Sequence, residues 1–182
     1  GFLRWRTGDQ APEQAWRGVA IEASGPTDAD YMVLVDCPDR DDDAAGLLSK
    51  GAVGALFGRM LAAVGLSRED VHIAAVCLRR PPPGRMPGEV EARLGELARH
   101  HVSLVAPKRL LVLGDGASRA VLGTNIMAAR DGLRPFNRES GETAATQVVA
   151  SFHPRLLLER PAAKAEAWRD LQALISGMET QE

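Results

Sequence analysis

Cysteine is scarce in this chain: Cys37 and Cys77 are the only two among 182 residues. Two are too few for a disulfide framework, and neither has the C-x-x-C or Cys/His spacing of a zinc or iron–sulfur site. A reduced core with no metal site and no cofactor is expected. Long apolar runs are missing too. Nothing approaches the roughly 18 to 20 residues that cross a bilayer, and no basic start leads into an apolar cleavable segment, so the chain reads as cytoplasmic with no membrane partner. Nor is there an excess of basic charge. A net charge of −2 and a pI near 6.1 argue against whole-surface attraction to nucleic acid, which depends on Lys and Arg neutralising phosphates. Local basic patches remain at Arg79, Arg80 and Arg85 around Pro81 to Gly84, and at Arg155 and Arg160 around Leu156 to Leu158. There is no G-x-x-x-x-G-K-[ST] phosphate loop. Gly114-Asp115-Gly116 begins like a dinucleotide fingerprint, but Arg119 occupies the third glycine position, so these glycines are assigned to a tight strand-to-helix turn.

What is present is one core's worth of apolar residues, 45% of the chain. Residues 1–27 show no sustained period and read as an irregular, partly packed lead-in. Residues 28–176 form the expected domain and 177–182 a tail. Tyr31 to Val35 is a continuous apolar run ended by Asp36, the pattern of a strand buried on both faces of a parallel sheet. Val53, Leu56, Phe57, Met60, Leu61 and Val64 mark one face of a helix. Ser67 and Asp70 form a capping-box-like turn before a second strand, Val71 to Cys77. Val90, Leu94, Leu97, Ala98, His101 and Val105 mark the next helix, followed by strands at Arg109 to Leu113 and Gln147 to Ala150. A last helix, Ala162 to Ile175, is expected to pack through Trp168, Leu171 and Ile175. Alternating strands and helices predict a three-layer α/β/α sandwich with a central four-stranded parallel sheet and ligands at the strands' carboxyl ends.

Two loops belong at that rim. Asp36 to Asp43 carries five carboxylates in eight residues. Asp36, the first polar residue off a buried strand, is the working candidate, with Cys37 and Pro38 beside it. Asp41 to Asp43 also suit a solvated turn feeding a helix N-terminus. A divalent cation held by these acids is disfavoured, because consecutive side chains diverge. Ser151 to Arg155 follows the fourth strand and brings His153 to the same rim, beside a proline that fixes the loop. His72, His100 and His101 fall inside elements and read as core or surface residues.

The order of these motifs resembles the uracil-DNA glycosylase superfamily, closest to the bacterial and archaeal branch that usually carries an iron–sulfur cluster. The resemblance runs from about Val19 to Leu174. It rests on Asp28-Ala29-Asp30, Pro38, the run Arg40 to Gly46, the run Leu61 to Val71, Arg80-Pro81-Pro82, Pro107-Lys108, Leu113-Gly114, Ala117, Leu122-Gly123, His153-Pro154, Leu157-Leu158, Lys164, Trp168, Asp170 and Leu171. It implies a monomeric DNA-repair hydrolase that flips a damaged base from DNA and hydrolyses its N-glycosidic bond. Asp36 stands where the family has Glu or Gln and would position a water. His153 would hydrogen-bond the departing base and stabilise its developing charge.

This sequence departs from the family at the pocket. Ala75, or its neighbour Ala74, falls where an Asn reads the uracil edge, and Ser49 falls where an aromatic residue stacks on the flipped base. Val35 and Asp39 replace flanking glycines, and Arg155 replaces a serine. The N-terminal cluster cysteines have no counterpart and Arg79 takes a third position, so no cluster is expected; Arg79, Trp5 and Trp16 would fill its space. Two functions follow: a divergent glycosylase using Asp36 and His153, or a non-catalytic DNA-binding or protein-interaction module on the same fold. In either, Arg79, Arg80, Arg85 and Arg155 are the expected phosphate contacts.

Overall fold

A computed structural model describes residues 1–43, 45–130, 132–136 and 146–178; residues 179–182 of the expected tail lie outside the described residues. In chain order the helices and strands are α1 (Phe2–Arg6), β1 (Tyr31–Val35), α2 (Gly51–Ala63), β2 (Val71–Ala75), α3 (Gly88–Val105), β3 (Arg109–Leu113), α4 (Asp115–Leu122), α5 (Ile126–Ala129), β4 (Arg134–Phe136), β5 (Thr146–Ser151), α6 (Pro154–Glu159) and α7 (Lys164–Ile175).

The sheet order is β2-β1-β3-β5-β4. β2, β1, β3 and β5 run parallel, as the alternation of strands and helices predicts, with Val35 opposite both Ala75 and Leu113. β4 adds an antiparallel edge strand against β5. Three residues long and containing Pro135, it has no readable strand pattern, and a proline without an N–H belongs at an edge. Residues alternate between the two faces. Val33, Val35, Leu111 and Leu113 pack with α2, α6 and α7, whereas Met32, Leu34, Leu110 and Val112 pack with α3 and α4. Each fully buried side chain of this kind contributes roughly 1.5–3 kcal/mol.

One expectation needs correction. The last helix packs through Ala167, Leu171 and Leu174, a clean i, i+4, i+7 stripe, while Trp168 is 42% exposed on its other side. The lead-in has no regular element beyond α1 and packs on the domain through a few buried contacts. The buried Arg6–Glu13 pair closes at 2.6 Å, Arg6 also donates to Val76 O, and Glu13 accepts the Leu78 N–H. Ser24 then bridges Ile73. Apart from the local Arg6–Glu13 pair, these partners are 49 to 70 residues away in sequence, which is why no local period revealed them. The Ser67–Asp70 capping box is present as read.

Candidate active site

The chain crosses from one side of β1 to the other between β2 and β3, so the topological switch point lies at the carboxyl ends of β1 and β3, where open α/β sheets bind ligands. Asp36 leaves β1 at that point. Its Oδ1 accepts the Ala117 N–H at 2.6 Å, at the first turn of α4. Burial pushes the Asp36 pKa up, and the backbone N–H groups of Ala117 and Gly116 and the nearby His153 partly offset this. The two glycines read as turn-formers have a further role. A Cβ on Gly114 would come within 2.6 Å of the Asp36 carboxylate and one on Gly116 within 3.0 Å, so both leave room for that carboxylate.

His153 caps α6. Its Nδ1 accepts the Arg155 N–H at 3.1 Å, so the neutral ring carries its proton on Nε2, which is left as the ring's donor. Burial lowers the His153 pKa against the pull of Asp39, Asp36 and Asp42, and this holds the ring neutral. The loop is fixed from below. The buried Ser151 hydroxyl donates to Asp170 at 2.6 Å, Arg130 pairs with the same carboxylate through Nε at 2.9 Å, and its guanidinium lies 4.5 Å over the Phe152 ring. Asp170 carried the family pattern and Ser151 opened the loop read from the sequence, but Arg130 gave no signal, because the network joins three separate elements.

The acidic loop organises itself. Asp42 accepts the Asp39 and Ser49 N–H groups, and Asp43 accepts that of Ala45. Arg155 donates to Asp39 from Nε at 2.9 Å and to Asp41 from a terminal nitrogen at 2.7 Å. Burial tends to raise the Asp39 pKa, yet Arg155 brings it below the usual carboxylate range. Expected at DNA phosphates, Arg155 is thus engaged inside the protein, as is Arg79, which donates to Trp16 O and Gly18 O. Trp5, expected near Arg79, stacks instead with Phe2.

A cavity of about 410 Å³ brings together Asp36, Cys37, Pro38, Arg80, His153 and Arg155. A second cavity, of about 800 Å³, joins Asp36, Cys37 and Arg85 on the α3–α4 side. Ser49 and Ala75 belong to neither lining. Ser49 Oγ donates to Gly46 O, and Ala75 is buried in the apolar cluster with Leu48 and Val53. Burial pushes the Cys37 thiol up to about 11 and Cys77 to about 12, so neither is a thiolate near neutral pH. A cluster held by four thiolates has no ligand set in a chain with two cysteines and a guanidinium at Arg79. Among the described residues no group of three or more His, Cys, Asp or Glu is placed to hold a metal ion, and no helix is long and apolar enough to cross a membrane.

Residues 23–172 match the sequence profile of the uracil DNA glycosylase superfamily. Over 176 residues the chain is 30% identical to a type-4 uracil-DNA glycosylase of Pyrobaculum aerophilum, covering 93% of this chain and 88% of that protein. It is also 30% identical to a type-4 uracil-DNA glycosylase of Archaeoglobus fulgidus over 162 residues, 85% of this chain and 79% of the relative. A third such enzyme, from Thermotoga maritima, is 28% identical over 140 residues, 76% of this chain and 71% of its own length.

Proposed function

Because the chain belongs to the uracil DNA glycosylase superfamily, we propose that it hydrolyses the N-glycosidic bond of a damaged base flipped out of DNA, with Asp36 and His153 as the catalytic pair. The observation that carries this reading is the convergence of the two side chains on one cavity at the sheet's switch point. In the proposed reaction the neutral His153 donates its Nε2–H to the base oxygen on which negative charge develops as the bond breaks. The Asp36 carboxylate orients a water toward the sugar, stabilises its oxocarbenium-like character and takes the proton released as the water oxygen bonds to the sugar carbon. Cys37 and Pro38 line the base pocket, and Arg80 and Arg85 remain for phosphates.

Uracil-specific contacts are missing at two positions, since Ala75 offers no polar atom to a base edge and Ser49 offers no ring. The test is incubation with oligonucleotides containing uracil, hypoxanthine or xanthine, followed by alkaline cleavage at abasic sites. Strand breaks on at least one substrate, lost in His153→Ala, are expected. No cleavage above that variant on any base would leave the second reading, a non-catalytic DNA-binding or protein-interaction module. That reading is favoured by the burial of Ala75 and by the Ser49–Gly46 hydrogen bond.

A further inference from the structure

Beside the catalytic cavity lies another of about 800 Å³, enclosed by the lead-in around Trp16, the Pro38–Asp43 loop and the proline segment Pro81–Pro83. The two cavities share Pro38, Asp39, Arg40 and Arg80, so one cleft runs from His153 to Trp16. Three features single it out. First, the exposed Arg17, Arg40 and Arg80 line it with no hydrogen-bond or ion-pair partner among the described residues. The acids on the same wall are engaged: Asp39 with Arg155, Asp42 with two backbone N–H groups, and Asp43 with Ala45 and Lys50.

Second, the half-buried Trp16 supplies an aromatic residue to this wall, whereas the loop around Ser49 has none. Third, the wall is fixed in advance. Arg79 donates to the carbonyls of Trp16 and Gly18, Glu13 accepts the Leu78 N–H, and Ile21 donates to Leu78 O at 2.9 Å. A ligand therefore does not have to order it.

Guanidinium groups without partners beside an aromatic face match a strand that carries phosphates and exposed base faces together. We infer that this cleft docks an unpaired nucleotide of the DNA strand next to the excised one, its base stacked on Trp16 and its flanking phosphates on Arg17, Arg40 and Arg80. The choice of DNA as the polyanion rests on the glycosylase reading above. The stacking is independent of whether any bond is cleaved. Trp16 thereby supplies aromatic contact one nucleotide away from the position where Ser49 leaves it missing.

The experiment measures fluorescence anisotropy of the full chain with a labelled single strand of about twelve thymidines. A matched strand carries reduced abasic sites in place of its central bases. Trp16→Ala is expected to weaken binding to the thymidine strand roughly five- to hundredfold, the range one stacked base is worth, and to leave the abasic strand's affinity unchanged. Trp16→Phe restores most of the loss, which a purely structural tryptophan would not predict for the base-bearing strand alone. Arg40→Gln and Arg80→Gln weaken both strands and flatten the salt dependence by about one ion each. Equal affinity of the wild-type chain for the two strands, or an equal loss on both with Trp16→Ala, overturns the proposal. Because the measurement needs no turnover, a chain that binds in this way yet excises nothing refutes the catalytic reading and leaves this one standing.

Discussion

Asp36 carries its carboxylate where the fold makes negative charge costly, and two backbone N–H groups only partly compensate. Its folded-state pKa lies above that of the unfolded chain. Its contribution to stability is therefore full below the unfolded value and lost as pH rises through the folded one. Asp36→Asn keeps an oxygen for the Ala117 N–H and removes the buried charge. Excision is expected to fall by about 10²- to 10⁴-fold, while the melting temperature stays level or rises. Calorimetry beside the cleavage assay checks this, and a clear loss of stability would mean the charge itself holds the α4 turn. The acid limb of activity should sit above the ordinary carboxylate range, because Asp36 is shifted up while the depressed His153 stays neutral. Asp36 was legible as a candidate from its place after an apolar strand. Ala117 belongs to the family pattern, but its contact with Asp36 was not legible, because it lies 81 residues away and contributes only a backbone N–H, which every non-proline residue has.

The elements show why some of the site could be read and some could not. The parallel strands announce themselves through burial on both faces, whereas β4 and the loop under His153 depend on tertiary partners that leave no local period. That loop stands on the Ser151–Asp170–Arg130 network, in which Arg130 and Asp170 side chains are 14% and 9% exposed. Asp170→Ala leaves the fully buried Ser151 hydroxyl without its acceptor and leaves Arg130 with Glu166 as its one remaining carboxylate among the described residues. A loss of roughly 1–3 kcal/mol in urea unfolding is expected, with excision falling as well. The β3–α4 turn is equally intolerant. Gly114 has φ +115° and its missing Cβ faces the Asp36 carboxylate, so Gly114→Ala meets both a disfavoured backbone and a collision. Reduced soluble yield and a lowered melting temperature are expected. The sequence suggested a turn glycine here, but not that a carboxylate occupies the space beside it.

Across the whole molecule the lead-in is clamped at two ends, by Arg79 near Trp16 and by imidazoles near α1. His72 Nδ1 lies 3.3 Å from Gly25 O, and its Nε2 lies 2.9 Å from His101 Nε2. A donor is required toward the carbonyl, so neutral His72 presents a bare Nε2 and His101 donates to it. The Phe2 ring packs edge-on to His100 and His101, 5.0 and 5.4 Å away. A proton added to His72 would meet the His101 N–H, and Arg6 nearby opposes further positive charge; burial together with these neighbours lowers His101 to about 3. Both folded-state values lie below the unfolded one, so their contribution to stability is full above about pH 6.5 and lost progressively as pH falls toward 3. Urea midpoints should therefore rise across that window, and His101→Phe should flatten the rise. With Trp168→Phe and Trp16→Phe in place, Trp5 emission reports α1 directly and should shift toward that of an exposed indole at acid pH before the sheet unfolds. An emission change coincident with global unfolding would show that the imidazole pair stabilises the entire fold and gives α1 no separate release.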